Sequence, residues 1–279
     1  MSWRVVLFFL LFLAACSQET SALQGGKERP RIVSLDYCAD QYALALADRA
    51  DILALSPDAT ASFSYLRTEA KGIHQVRPRT EDILLLQPDV VIRSYGGGPT
   101  ITGFLERLDI PIIQIGYATS LDDIKTIIST TGEQLNAKEK GEKLIQKMEQ
   151  RIEALPQHQS QETVLYMTSR GAVAGRNTML DQLITTSGKT NFLETSGWVS
   201  VPLEQLAYTA PDIIATGFFE ANEQVSDIWT PSRHPVAKRA LTSSVQIDIP
   251  GAWTACSGWF LLDAADALAK ANAAKEEEQ

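Results

Sequence analysis

The stretch RIVSLDYCAD, Arg31 to Asp40, begins as a buried strand and then changes character. Arg31 to Leu35 is rich in β-branched and apolar residues. Asp36, Tyr37, Cys38 and Asp40 then bring carboxylate, phenol and thiol groups into the next half-turn. A strand that ends in such groups is the unit from which open α/β folds build ligand sites, because the crevice beyond the carboxyl ends of the strands is where ligands enter.

The same pattern recurs along the chain. In the first half, Ile52–Leu55, Val90–Arg93 and Pro111–Ile115 read as strands. Each is followed by turn chemistry, respectively Ser56-Pro57-Asp58, Ser94 to Pro99 and Gly116 to Ser120. In the second half, Thr163–Thr168, Ile213–Thr216 and Val245–Ile249 read as strands, with helices expected near Thr178–Ser187, Leu203–Thr209 and Phe260–Ala274. Between the halves lies NAKEKGEKLIQKMEQRIEAL, Asn136 to Leu155, which carries Leu144, Ile145, Met148, Ile152 and Leu155 on one helical face and stops at Pro156.

The alternation predicts an α/β protein of two Rossmann-like lobes with parallel sheets, joined by one long connector helix, with the ligand cleft between the lobes. The expected divisions are an N-terminal lobe at 31–131, a connector at 132–157, a C-terminal lobe at 158–272 and an acidic tail at 273–279. One continuous doubly wound domain, with the charged helix as a crossover, is the alternative.

Composition narrows the function. A formal net charge of −9 and no basic run argue against a nucleic-acid partner, whose phosphates demand clustered Lys and Arg. Arg4 followed by the apolar run Val5 to Ala15 is too short to span a bilayer and suits a signal peptide over residues 1–15. LAAC, Leu13 to Cys16, resembles a bacterial lipobox. That likeness implies lipidation of Cys16 and a polar tether at 16–30; a plain cleaved signal with an incidental Cys16 is the alternative.

Catalytic signatures are missing: there is no HExxH, P-loop, GxSxG or early GxGxxG. The three histidines, His74, His158 and His234, are too scattered for a zinc site, so no metal site is expected. Aromatic and Arg residues instead crowd the strand-end loops. Tyr37, Phe63, Tyr65, Tyr95 and Arg93 do so in the first lobe; Arg170, Arg176, Trp198, Phe218, Trp229 and Trp253 do so in the second. Flat rings with a few guanidinium groups suit a large, planar or anionic ligand.

Taken together, these pieces resemble the helical-backbone substrate-binding proteins of ABC importers, which capture cobalamin, ferric siderophores and haem. The likeness rests on RIVSL with ILALS, RTEDILLLQPDVVI (Arg79–Ile92), LDIPIIQI (Leu108–Ile115) and VPLEQLAYTAPDIIATG (Val201–Gly217). It implies a monomeric periplasmic protein, tethered by lipid. It would have no enzymatic activity and no cofactor of its own, and would deliver a chelate carrying iron or cobalt to a permease dimer. It also implies docking through one Glu on each lobe, and Glu81 and Glu204 hold matching places before the Pro-Asp corners. Aromatic walls suit a corrinoid and Arg suits an anionic ferric siderophore. The stretch YMTSRGAVAGRNT (Tyr166–Thr178) tilts the reading toward an anionic chelate, while Tyr37, Tyr65 or Tyr95 offers an axial ligand to haem.

Two further readings stay open: a tethered sensor or chaperone of the same fold, and a two-lobe enzyme using Asp36, Asp40 or Asp58. Cys38 and Cys256 sit in strand-end loops of opposite lobes. A bridge between them requires Cα atoms within about 7 Å; free buried thiols or a soft-metal contact are the alternatives.

Overall fold

A computed structural model describes residues 29–217 and 234–272 of the chain. Expectations for the signal segment, Cys16 and its tether, Phe218, Trp229 and the acidic tail lie outside these residues.

The first sheet is parallel in the order β2-β1-β3-β4, built from β1 (Ile32–Ser34), β2 (Ile52–Ala54), β3 (Val90–Arg93) and β4 (Ile112–Gln114). Its strands are short and nearly uninterrupted in apolar character because both faces are covered. On one side Ile32 and Ile92 pack with Tyr42 and Leu46 of α1 (Tyr37–Leu46); on the other Val33, Val91 and Leu35 pack with Ile83, Ile101 and Leu105. The latter residues come from α2 (Thr80–Leu86) and α3 (Gly98–Arg107).

The connection to the second half is a helical hairpin. Its first helix, α4 (Leu121–Gln134), opens with a reciprocal capping box between Ser120 and Asp123. The charged stretch forms α5 (Lys138–Ala154), whose Met148 is buried while Leu144, Ile145 and Ile152 pack against the main core. That core is continuous from Ile32 and Tyr42 through Ile124, Ile128 and Met148 to Val164, Leu183 and Leu262, so the two sheets share one apolar interior.

The second sheet departs from the all-parallel expectation. Strands β5 (Thr163–Thr168), β9 (Ile213–Gly217) and β10 (Val245–Ile249) are parallel, and β7 (Thr190–Asn191) joins β5 in the same sense. However, β6 (Ala172–Ala174) and β8 (Trp198–Ser200) add as antiparallel strands. The cause is local. Gly171 takes φ +81° and its N–H donates to the Thr168 carbonyl 2.8 Å away, turning the chain straight back on itself. The Thr168 hydroxyl then pairs with the backbone of Ala172, 3.0 and 3.1 Å away. The stretch Tyr166–Thr178 thus forms a hairpin. Among the described residues this half also holds α6 (Met179–Thr186), α7 (Leu203–Tyr208), α8 (Pro235–Ser243) and α10 (Leu261–Lys270), with the short α9 (Gly251–Thr254) between the last two.

The two halves repeat one corner without a gap. Glu81, Ile83, Leu85, Pro88 and Asp89 match Glu204, Leu206, Tyr208, Pro211 and Asp212. The second residue is buried in both (Ile83 0%, Leu206 7% exposed). The Asp89 carboxylate accepts the backbone N–H of Arg31 at 2.9 Å, and that of Asp212 accepts the N–H of Thr163 at 2.7 Å. Each Asp thus satisfies the first N–H of the neighbouring parallel strand, where the ladder leaves a donor open.

At the end of β1, Asp36 is an organising centre and not a cleft residue, contrary to the reading that aimed it at the ligand. It is 3% exposed. One oxygen caps α1 by accepting Ala39 N–H at 2.9 Å. The other accepts the N–H groups of Ser94, Tyr95 and Gly96 at 2.7, 3.0 and 2.8 Å. Only glycine suits the last position, since a Cβ there would sit 2.3 Å from the Leu35 carbonyl oxygen. Asp36→Ala should strand these donors and lower the unfolding free energy by about 3 kcal/mol or more. Urea unfolding checks this, and a loss below about 1 kcal/mol would contradict the organising role.

Candidate functional site

With Asp36 holding the β1–α1 turn against the β3–α3 loop, Tyr37 and Tyr95 are brought side by side. Their rings meet edge-on at 6.0 Å, and Tyr37 meets Phe63 edge-on at 4.9 Å. Burial raises both phenols above the ordinary tyrosine range, and the carboxylates of Asp36 and Asp58 add to this. In Tyr37 the neighbouring Tyr95 hydroxyl partly offsets the rise. Tyr95 remains half-exposed, so the pair opens to solvent.

The loop that carries Phe63 and Tyr65 is positioned by Gln41, which the sequence reading missed. Its amide nitrogen donates to the Tyr37 carbonyl at 2.7 Å and to the Ser64 hydroxyl at 2.9 Å, and its oxygen accepts Leu66 N–H at 2.7 Å. A glutamine inside an amphipathic helix gives no sequence sign of such a task. Asp40, one residue earlier, is fully buried and holds Ser56 through its backbone N–H at 3.1 Å and its hydroxyl at 2.6 Å. Asp36 and Asp40 are thereby committed to backbone and loop, which removes two of the three carboxylates named for the enzyme reading.

The two halves meet beneath this cluster. Cys38, on the first turn of α1, is joined by a disulfide to Cys256 in the loop before α10, with Cα atoms 5.5 Å apart. The Tyr42 hydroxyl donates to the Ser257 carbonyl at 2.9 Å, and its ring meets Trp259 edge-on at 5.6 Å. Tyr65 stacks on Phe260 at 4.7 Å and lies near the Asp263 carboxylate. Burial together with that carboxylate pushes the Tyr65 phenol up to about 12. Tyr65 is therefore part of the floor joining the halves, not an open axial ligand. Trp253 is likewise half-buried against the main core. Trp259, a strand-end aromatic in the sequence, completes this floor with Phe260 and Tyr42, which were not singled out because their positions carry no local mark of a partner some two hundred residues away.

Of the three Arg residues assigned to the wall, Arg93 turns inward. It is 8% exposed and donates to the Gly98 carbonyl and the Thr102 hydroxyl, holding the start of α3. Arg176 pairs with Glu194 at 3.5 Å on an exposed surface, and Arg170 stands exposed at the tip of the β5–β6 hairpin. Trp198 on β8 is half-exposed and lies edge-on to Tyr166 at 6.1 Å. Glu81 and Glu204 are exposed on the first turns of α2 and α7. Among the described residues no group of three or more His, Cys, Asp or Glu side chains is arranged to hold a metal ion, and no helix is long and apolar enough to cross a membrane.

Residues 32–222 match the family described as periplasmic binding protein, and the chain belongs to that family. Family members are substrate-binding components of ABC importers, acting outside the cytoplasm with a permease partner. Solved structures share the fold. The periplasmic haem-binding protein of Vibrio cholerae is 20% identical with a TM-score of 0.67, the alignment covering 87% of this chain and 98% of that one. The haem-binding protein of a Roseiflexus species is 22% identical with a TM-score of 0.63 over 86% and 98%. The periplasmic vitamin B12-binding protein of Vibrio cholerae is 19% identical with a TM-score of 0.60 over 86% and 96%. No curated protein sequence matches the chain.

Two stability predictions follow from the site. Burial raises the Asp40 carboxyl to about 6, against the opposing hydrogen bonds from Ser34 and Ser56. The folded state then holds this proton more tightly than the unfolded chain, whose aspartates titrate near 3.9. The contribution is full below about pH 4 and is lost as the pH rises through about 6. Asp40→Asn should flatten thermal stability across that window, removing a drop on the order of 2–3 kcal/mol. An unchanged profile would assign the drop to another group. Cys38 and Cys256 close a sequence separation of 218 residues. Replacing both with Ala should cost about 2–5 kcal/mol, and reduction of the unfolded wild type should release two further thiols in a colorimetric assay.

Proposed function

We propose that this chain captures an iron tetrapyrrole of the haem type outside the cytoplasm and delivers it to the permease of an ABC importer. The observation that carries the reading is the edge-on phenol pair Tyr37–Tyr95, set beside Phe63 at the carboxyl end of the first sheet. Ferric iron is a hard Lewis acid that favours an anionic oxygen ligand, and a tetrapyrrole leaves its axial positions open for one. The Tyr95 hydroxyl beside Tyr37 favours the anionic form of Tyr37. The raised phenols keep their protons until a metal displaces them, so capture would release a proton and strengthen as pH rises. A corrinoid, whose cobalt brings axial ligands of its own, has less use for this pair.

The guanidinium groups support the same choice. A polyanionic ferric siderophore calls for several free Arg, whereas Arg93 is committed to α3 and Arg176 faces Glu194. Arg170 remains to meet a ligand carboxylate, and Trp198 offers a ring on the opposite half. Two of the three solved relatives described above are haem-binding by their own descriptions. Glu81 and Glu204 are the proposed contacts to the two permease subunits, through charge-assisted hydrogen bonds to their cations. Cys16 is the proposed site of lipid attachment.

Purified protein titrated with hemin, a ferric hydroxamate and cyanocobalamin, followed by absorbance, tests the ligand. Hemin should saturate at one per chain. Tyr95→Phe should weaken it about 10- to 100-fold as a supporting partner, and Tyr37→Phe should weaken it further with an altered iron spectrum. Binding of cyanocobalamin or the hydroxamate without hemin would overturn the haem assignment.

A further inference from the structure

Leu85 and Tyr208 are 83% and 92% exposed, and among the described residues neither joins a hydrophobic cluster. Both stand at the same place in the repeated corner, four residues after Glu81 and Glu204 respectively. On α2 and α7 that spacing puts carboxylate and apolar side chain on one face, one turn apart, while Ile83 and Leu206 between them point into the core. A single exposed apolar residue on a soluble protein is ordinary. Here the fold presents the same acid-plus-apolar pair twice, once from each half, at positions made equivalent by the Asp89 and Asp212 strand-start bonds.

We infer that Leu85 and Tyr208 are apolar anchors of the permease interface, each seated beside its Glu in a recess of one permease subunit. The inference rests on the importer reading above and adds to it a second kind of contact. The duplication matches a partner of two like subunits, and the carboxylates demand a cation at each. A rim carboxylate in water contributes chiefly to orientation and encounter rate, while desolvated apolar side chains hold a complex once formed. The two pairs differ in shape. Leu85 is a compact branched side chain flanked by Asp82, whereas Tyr208 is a ring ending in a hydroxyl with Gln205 beside it. Their recesses would therefore differ, and the protein would sit on a symmetric permease in one preferred orientation at the level of apolar fit.

The test uses the full importer reconstituted in lipid nanodiscs, with binding-protein-stimulated ATP hydrolysis as the measure of apparent affinity. Leu85→Gln and Tyr208→Gln should each weaken that affinity about tenfold, and the double variant should weaken it more, with the loss persisting at high salt. Glu81→Lys and Glu204→Lys should also weaken it, with a loss that shrinks as salt rises. Hemin titration and melting temperature of the Gln variants should match the wild type, since both side chains are free of the core. Full stimulation by the Gln variants alongside loss in the Lys variants would overturn the anchors and leave the importer reading standing. Full stimulation by all four would overturn the docking reading itself. A lowered melting temperature or weaker hemin binding in the Gln variants would assign these residues a structural role and overturn the inference.

Discussion

One carboxylate organises the first half of this protein. Asp36 ends β1, caps α1 and gathers three consecutive N–H groups of the loop after β3. Tyr37 is the residue after it in the chain, and Tyr95 is one of the three whose N–H it holds. The spacing of the two phenols is therefore set by backbone hydrogen bonds to a buried anion and not by the rings themselves. Such bonds are short, charge-assisted and directional, which suits a wall that must keep its shape before any ligand arrives. Gln41 and Asp40, from the buried face of the same helix, extend that control to the loop bearing Phe63.

The second constraint lies between the halves. The continuous core, the α4–α5 hairpin, the Cys38–Cys256 bond and the Tyr42 and Tyr65 contacts with residues 257–260 all tie the sheets together at the base of the cleft. Arg151 of α5 adds ion pairs to Asp263 and Asp266 of α10. Wide hinge closure would have to break several of these at once.

Much of this architecture was legible because local physics dictates it. Ile32, Val90 and Ile213 sit in short apolar runs that serve only as buried strands, and Pro88-Asp89 and Pro211-Asp212 mark strand starts wherever they follow a helix. The apolar face of α5 was visible in its three- and four-residue spacing. What was misread required knowledge of a partner. Asp36 and Arg93 look like cleft residues from their strand-end positions, yet both turn inward to backbone groups of the next connection. Tyr65 has a phenol like those of Tyr37 and Tyr95, but Phe260 and Asp263 claim it. The antiparallel β6 and β8 hinge on one positive φ at Gly171, which a glycine permits but does not announce.

By itself the sequence determined the α/β alternation, the main parallel strands, the charged connector and the matched corners at Glu81 and Glu204. These follow from periodicity, turn chemistry and internal register, all of which act over a few residues. Only the tertiary structure decided which polar side chains serve the ligand wall and which serve the frame. It also decided that a cysteine at 38 meets one at 256, and that Leu85 and Tyr208 stay in water. Those outcomes depend on which groups are brought within a few ångströms after the chain has closed, and hydrogen bonding and burial act only at that range.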